Sequence, residues 1–337
     1  MKKLLEKLCN APGVSGCESL AAKVAAEHLS LYANVKHDAL GSVIGEINNK
    51  GKAPHILLDA HIDQIGLIVT DIDETGFLRF TMCGKVDLRV LSGATVTVWG
   101  KKPLFGVISS TPPHISDPEK RGAAKAITEL GIDIGYSGER AKELVCIGDM
   151  VTFNSDFFKL SGTKVCTAGL DNRAGVAVIL RALEILQSKK HSARVTTLFS
   201  VLEETGKGGA LAASFGIEPD EAVVFDVSFA NFPNSKLAPL SSGAMIGISP
   251  ILSREISNRL VKTAEKHKIP HTIEVMGGLT STNADSIAIS GKGVKTGLIS
   301  IPLRNMHSAA EVADVDDLEF CAKLIAEYIA ERGSMNA

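Results

Sequence analysis

Four short apolar runs in this chain each lead into a side chain that can bind a metal or carry a proton, and that recurrence restricts the fold more than any other feature. Residues 195–202 end on adjacent glutamates, Glu203 and Glu204, ahead of a glycine-rich turn, Thr205 to Gly209. Residues 56–58 lead to His61 and Asp63, 222–225 to Asp226, and 294–302 to His307, while Asp171 directly precedes an Ala/Val/Leu-rich helical stretch. Apolar runs this short suit strands buried on both faces of a parallel sheet. In open α/β sheets the loops at the carboxyl ends of neighbouring strands converge on one site. Adjacent residues of a regular strand point to opposite faces, so Glu203 and Glu204 serve one site only if their strand is already ending. The glycines that follow allow it.

The chemistry of such a cluster is that of a two-metal hydrolytic site. A divalent transition ion takes imidazole and carboxylate ligands from several segments, and two ions roughly 3.5–4 Å apart clamp the attacking and leaving oxygens. Asp171 is the natural bridge between them. His61 and Asp226 complete one ion, a glutamate and His307 the other, and the second glutamate is left as a general base. Taken singly, each residue also has an ordinary structural explanation: His61 as a strand-end histidine, Asp226 as a turn or helix cap, Asp171 as an N-cap for orphan backbone N–H groups. Taken together, the set points to a metal site. The glycines at 206–209 are too few and wrongly ordered for a phosphate-binding loop.

Composition sets the bounds. The 337 residues are 45% hydrophobic and 22% charged, enough for about two soluble domains with large cores. With 36 basic against 38 acidic residues, the chain has no positive field to attract nucleic acid or an anionic membrane. The six cysteines form no C-x-x-C pair, which suits buried thiols in a reducing compartment. Glu6 and Lys7 interrupt the first apolar stretch, so no secretory signal is expected, nor a membrane span, and the expected location is the cytoplasm.

Periodicity predicts helices over 2–9 and 18–32, broken by Ala11-Pro12-Gly13, then strands over 42–47 and 55–58. From about 70 to 162 the pattern changes to short alternating runs (77–80, 94–99, 104–108, 150–153), which predict a small β-rich barrel or sandwich. The α/β rhythm returns afterwards, with helices expected over 173–186, 208–215, 254–267 and 315–332 and strands over 194–202 and 222–225. One α/β domain, 1–69 with 163–337, is thus interrupted by another, 70–162.

These residues in this order resemble the M42 family of metallo-aminopeptidases, the glutamyl and tetrahedral aminopeptidase relatives once described as endoglucanases. The matching stretches are 59–69 (DAHIDQIGLIV), 169–178 (GLDNRAGVAV), 201–210 (VLEETGKGGA), 222–228 (AVVFDVS) and 300–308 (SIPLRNMHS). The resemblance implies a phosphorylase/hydrolase-like mixed-sheet domain with helices on both faces and an inserted barrel-like dimerisation domain. It implies two divalent ions, zinc or cobalt, with His61, Asp171 and Asp226 on one and Asp171, Glu204 and His307 on the other. Glu203 becomes the acid/base residue and Asp63 the partner that orients His61. The implied activity removes N-terminal residues from short peptides, in a homo-oligomer built from dimers up to a tetrahedral dodecamer. Gln64 and Asn283 depart from the pattern, standing where Glu and a Thr-Asp-Ala segment are usual. A glycoside hydrolase and a non-catalytic metal- or peptide-binding relative are the alternatives. Aromatics at 5%, with the one tryptophan, Trp99, in the inserted segment, weigh against sugar stacking.

Overall fold

The computed structural model describes residues 1–47, 53–115 and 124–334. Its main sheet runs Asn34–His37, Val43–Ile47, Arg194–Ser200, His55–His61, Glu221–Phe229, Lys295–Arg304, Glu311–Asp314, Lys164–Thr167, Phe158–Lys159. Two further strands branch from it: Ala244–Ile248 lies antiparallel to Lys295–Arg304, and His271–Val275 lies parallel to Ala244–Ile248. The four central strands, from Arg194–Ser200 to Lys295–Arg304, are mutually parallel, and antiparallel strands flank them. The sheet is mixed, as the α/β reading requires.

Side-chain alternation sorts this sheet into two faces. Ile56, Leu58, Val195, Phe199, Val223, Phe225, Ile299 and Ile301 pack on one side, against helices Lys2–Cys9, Leu170–Leu186, Arg254–Lys266 and Val315–Ser334. Leu57, Leu198, Ala222, Val224 and Leu298 pack on the other, against Gly208–Ile217 and Asn283–Ala288. Because both faces are covered, His55–His61 is buried at every residue, which explains the consecutive apolar residues Ile56, Leu57 and Leu58. Leu170–Leu186 is apolar around nearly its whole circumference because it lies between the sheet and the outer helices.

Gly66–Ile72, Leu78–Cys83, Gly131–Asp133, Pro103–Ser109, Thr95–Trp99 and Met150–Phe153 close into a six-stranded antiparallel barrel. Here one strand face looks inward and one outward, so Pro103–Ser109 alternates between buried and exposed positions. Leu67, Val69, Leu78, Val96, Val98, Ile108, Ile132 and Val151 fill the interior. No helix among the described residues is long and apolar enough to cross a membrane.

One close approach ties the sheet to the helix that follows the paired glutamates. A Cβ on Gly209 would lie 2.2 Å from the Val201 carbonyl oxygen, which is backbone and cannot swing aside. Gly209→Ala is therefore expected to cost about 1–3 kcal/mol of stability, the usual range for overpacking, read as a lowered midpoint in chemical denaturation.

Candidate metal centre

The residues singled out in the sequence meet at the carboxyl end of the parallel strands. His61 closes His55–His61, and Asp226 lies in Glu221–Phe229 two residues beyond the end of that strand's pairing with His55–His61 at Val224 and Asp59. Asp226 is not a strand end, since Glu221–Phe229 remains paired with Lys295–Arg304 as far as Phe229 and Leu303. Asp171 and Asn172 sit in the first turn of Leu170–Leu186 with non-helical backbone angles, so regular helix begins at Arg173. His307 follows the end of Lys295–Arg304 with a left-handed φ of 63°.

The glutamate pair meets the condition set by strand geometry. The strand stops at Ser200, Leu202 takes a left-handed φ of 61°, and Glu203–Gly206 forms a single helical turn. Side chains one residue apart on such a turn diverge by about 100° rather than 180°, so both carboxylates reach one cleft.

Asp171 is at the centre. Its Oδ1 lies 3.2 Å from His61 Nε2 and its Oδ2 lies 3.2 Å from His307 Nε2. His61 Nε2 is also 3.7 Å from Asp226 Oδ1, and His307 Nε2 is 3.5 Å from Glu204 Oε2. The ligand atoms of His61, Asp171 and Asp226 all lie within 4.8 Å of one another, as do those of Asp171, Glu204 and His307. The two triads share Asp171. Together with Glu203 they line a cleft of about 670 Å³, whose walls include Lys85, Phe229, Thr280 and Met306.

Two further carboxylates hold the backbone that carries these side chains. Asp63 accepts from the Glu203 N–H through Oδ1 (3.1 Å) and from the Glu204 N–H through Oδ2 (3.0 Å). It also approaches His61 Nδ1 twice, at 3.1 Å with its backbone carbonyl and 3.4 Å with Oδ1, which leaves Nε2 facing Asp171. Glu311 accepts from the N–H groups of Asp171 (3.1 Å) and His307 (2.9 Å). Nothing in the sequence around Glu311 singled it out. Its partners are backbone groups, one of them 140 positions away, and such bonds leave no local pattern.

The positions that depart from the family pattern are structural neighbours of the site. Gln64 Oε1 lies 3.4 Å from Nη2 of the buried Arg173, which also donates to the carbonyls of Leu8 and Ala11. Asn283 donates to Asp59 (3.0 Å) and Ser200 (2.8 Å) beneath the strand ends. Neither reaches the cluster of ligand atoms.

The electrostatics fit a cation-binding site. Burial pushes the Glu203 carboxyl up to about 8, and the charges of Asp226, Asp171 and Asp63 add to the shift. Glu204 is pushed up to about 10, by burial first and then by Asp171. Burial opposes the charge on Asp171 too, but hydrogen bonding to His307 and His61 holds its carboxyl well below the usual range. Glu204 Oε1 is buried and has no hydrogen-bond partner among the described residues. Crowded acids with an orphaned oxygen among imidazoles are what divalent ligands look like when judged by proton affinity alone.

The boundary with the barrel is tight. Gly84, just after Leu78–Cys83, has a φ of 82°, and a Cβ there would lie 3.2 Å from Glu204 Oε2.

Residues 41–324 match the model of the M42 glutamyl aminopeptidase family. The chain belongs to that family. It is 33% identical to the lysyl aminopeptidase of Pyrococcus furiosus, covering 99% of this chain and 98% of that protein. Among solved structures it is similar to an aminopeptidase from the archaeon Desulfurococcus kamchatkensis, with a TM-score of 0.92, 32% identity, and 99% and 97% of the two chains covered. It is also similar to the TET1 peptidase of Pyrococcus horikoshii, described as assembling into a tetrahedron or a large octahedral shell. There the TM-score is 0.87 with 35% identity over 97% and 98% of the chains. As an M42 member the chain is a metal-dependent aminopeptidase, a hydrolase of peptide bonds, and the glycoside hydrolase alternative is not favoured.

Removing the Glu311 carboxylate frees the backbone at Asp171 and at His307 without touching a ligand atom. Glu311→Ala is expected to weaken divalent-ion affinity about 10–100-fold, as loss of an outer partner typically does, in calorimetric titration of the metal-depleted protein.

Proposed function

We propose that this aminopeptidase is dinuclear, with His61, Asp171 and Asp226 holding one divalent ion and Asp171, Glu204 and His307 the other. The observation that carries this is the sharing of Asp171, one oxygen towards each imidazole. Zinc and cobalt both suit mixed imidazole and carboxylate sites. When bound, such ions supply Lewis acidity, making water at the site more acidic and drawing charge from a carbonyl oxygen.

The chain's own groups do the rest. Glu203 lines the cleft, belongs to neither triad, and has a proton affinity raised towards neutrality, which suits a residue that must both take and give a proton. It would accept a proton as water attacks the scissile carbonyl and return it to the leaving amine. Asp63 fixes the ring of His61 by its contacts at Nδ1 and holds the backbone of both glutamates.

Short peptides are the proposed substrates, since the cleft is bounded by Lys85, by Phe229 and by Thr280 to Thr282. We further propose a homo-oligomer in which residues 70–162 serve as the dimerisation domain inserted into 1–69 and 163–337. The tetrahedron described for the Pyrococcus horikoshii TET1 peptidase, and the dodecamer described for another solved structure, support a tetrahedral dodecamer as one form of it. The six cysteines are all free, which is consistent with a cytoplasmic location.

Hydrolysis of a panel of amino-acid p-nitroanilides is expected to be abolished by chelator and restored by zinc or cobalt, with no release of sugar from a soluble β-glucan. Glu203→Gln should retain both ions by elemental analysis while losing about 10²–10⁴ in kcat. His307→Ala and Asp171→Ala should lose metal as well as turnover. Near-normal activity of Glu203→Gln would refute the base assignment.

A further inference from the structure

Three consecutive peptide N–H groups, those of Leu202, Glu203 and Glu204, are each taken by a buried carboxylate. Asp63 takes the last two. The first goes to Glu18, whose Oε1 accepts from Leu202 N–H at 3.2 Å and from Gly16 N–H at 2.7 Å. Glu18 lies 184 positions from Leu202, is 7% exposed, and touches none of the ligand atoms. A buried carboxylate without a cationic partner is costly to keep, and an acceptor for two N–H groups does not in itself require one.

The surroundings show what it secures. Leu202 has a branched side chain at φ 61°, a conformation L-residues adopt at a cost. That kink turns the chain out of the strand so that Glu203 and Glu204 enter one cleft. Ser15 and Thr205 are joined by a hydroxyl hydrogen bond of 2.8 Å on the other side of the turn. The segment carrying Ser15, Gly16 and Glu18 is itself anchored, since Ser15 N–H donates to the Gln64 carbonyl and Gln64 N–H to the Gly13 carbonyl. The segment after the first helix therefore grips the turn at 202 and at 205, and the His61–Asp63 segment grips it at 203 and 204.

We infer that Glu18 is a positioning residue for Glu203, holding the left-handed kink at Leu202 that aims the general base. The inference rests on the base assignment made above. Without the Glu18 acceptor the Leu202 N–H is orphaned and the kink is free to relax towards ordinary backbone angles, carrying the Glu203 carboxylate off its line to the attacked carbonyl. The metal ligands other than Glu204 are held from other segments. The loss therefore falls on turnover more than on binding.

The test is a double-mutant cycle in the full-length, metal-loaded enzyme, with bound metal and thermal midpoint measured on every variant. Glu18→Ala is expected to lower kcat about 10²-fold, the scale of a misplaced reacting group, with KM within about threefold and both ions retained. Glu18→Gln keeps an oxygen in place of Oε1 and should restore most of kcat. In a Glu203→Gln background, Glu18→Ala should change the residual rate less than twofold, because the group it positions is already gone. Full additivity of the two substitutions, an unchanged kcat in Glu18→Ala, or a loss that tracks metal content or goes unrescued by Gln would each overturn the inference. A near-normal Glu203→Gln single variant would instead sink the base assignment, so the two failures are told apart.

Discussion

Buried negative charge in excess of fixed positive charge is the condition on which this structure depends. Asp63, Asp171, Glu203, Glu204, Asp226 and Glu311 crowd around only two imidazoles, those of His61 and His307. Two of the acids, Asp63 and Glu311, are satisfied by backbone N–H groups. The others have too few donors, and each uncompensated buried charge costs several kcal/mol. Ion binding and folding are then linked: a cation that neutralises the cluster stabilises the folded chain by the free energy of its binding.

The fold supplies this arrangement through register. Parallel pairing sets His61 opposite Ser200 on one side of its strand, and the other neighbouring strand carries Asp226 just past their last paired residues. The imidazole of His61 and the carboxylate of Asp226 are thus delivered by strands rather than by loops. Asp171 arrives from the mouth of a helix packed under the same sheet, and His307 from the loop beyond Lys295–Arg304. The placement of the ligands follows from strand order and from where each strand stops.

Much of this was legible in the sequence, for physical reasons that also mark the limit. Strands with a buried face and helices with apolar residues at helical spacing write their positions directly, so 55–61, 150–153, 254–266 and 315–334 could be read within a few residues. The metal-ligand types stood out because each borders an apolar run in the sequence: His61, Glu204, Asp226 and His307 after one and Asp171 before one. The strands Asn34–His37, Lys164–Thr167, Ala244–Ile248, His271–Val275 and Glu311–Asp314 were not predicted. They are short or lie towards the sheet's margins, where polar faces and brief pairing dilute the pattern. Glu18 and Glu311 were invisible for a different cause: they act on peptide groups, and a peptide group has no letter of its own.

At Gly84, just after the barrel strand, the chain passes so close to Ile65 and the candidate ligand Glu204 that a Cβ would lie 2.7 Å from the one and 3.2 Å from the other. A joint of that kind has no slack. Shifts of a few tenths of an ångström are ordinarily absorbed by a flexible side chain, but here they would pass from the barrel wall straight to Oε2. The barrel and the acidic cluster are thus in close contact, and a displacement of one would reach the other at Glu204.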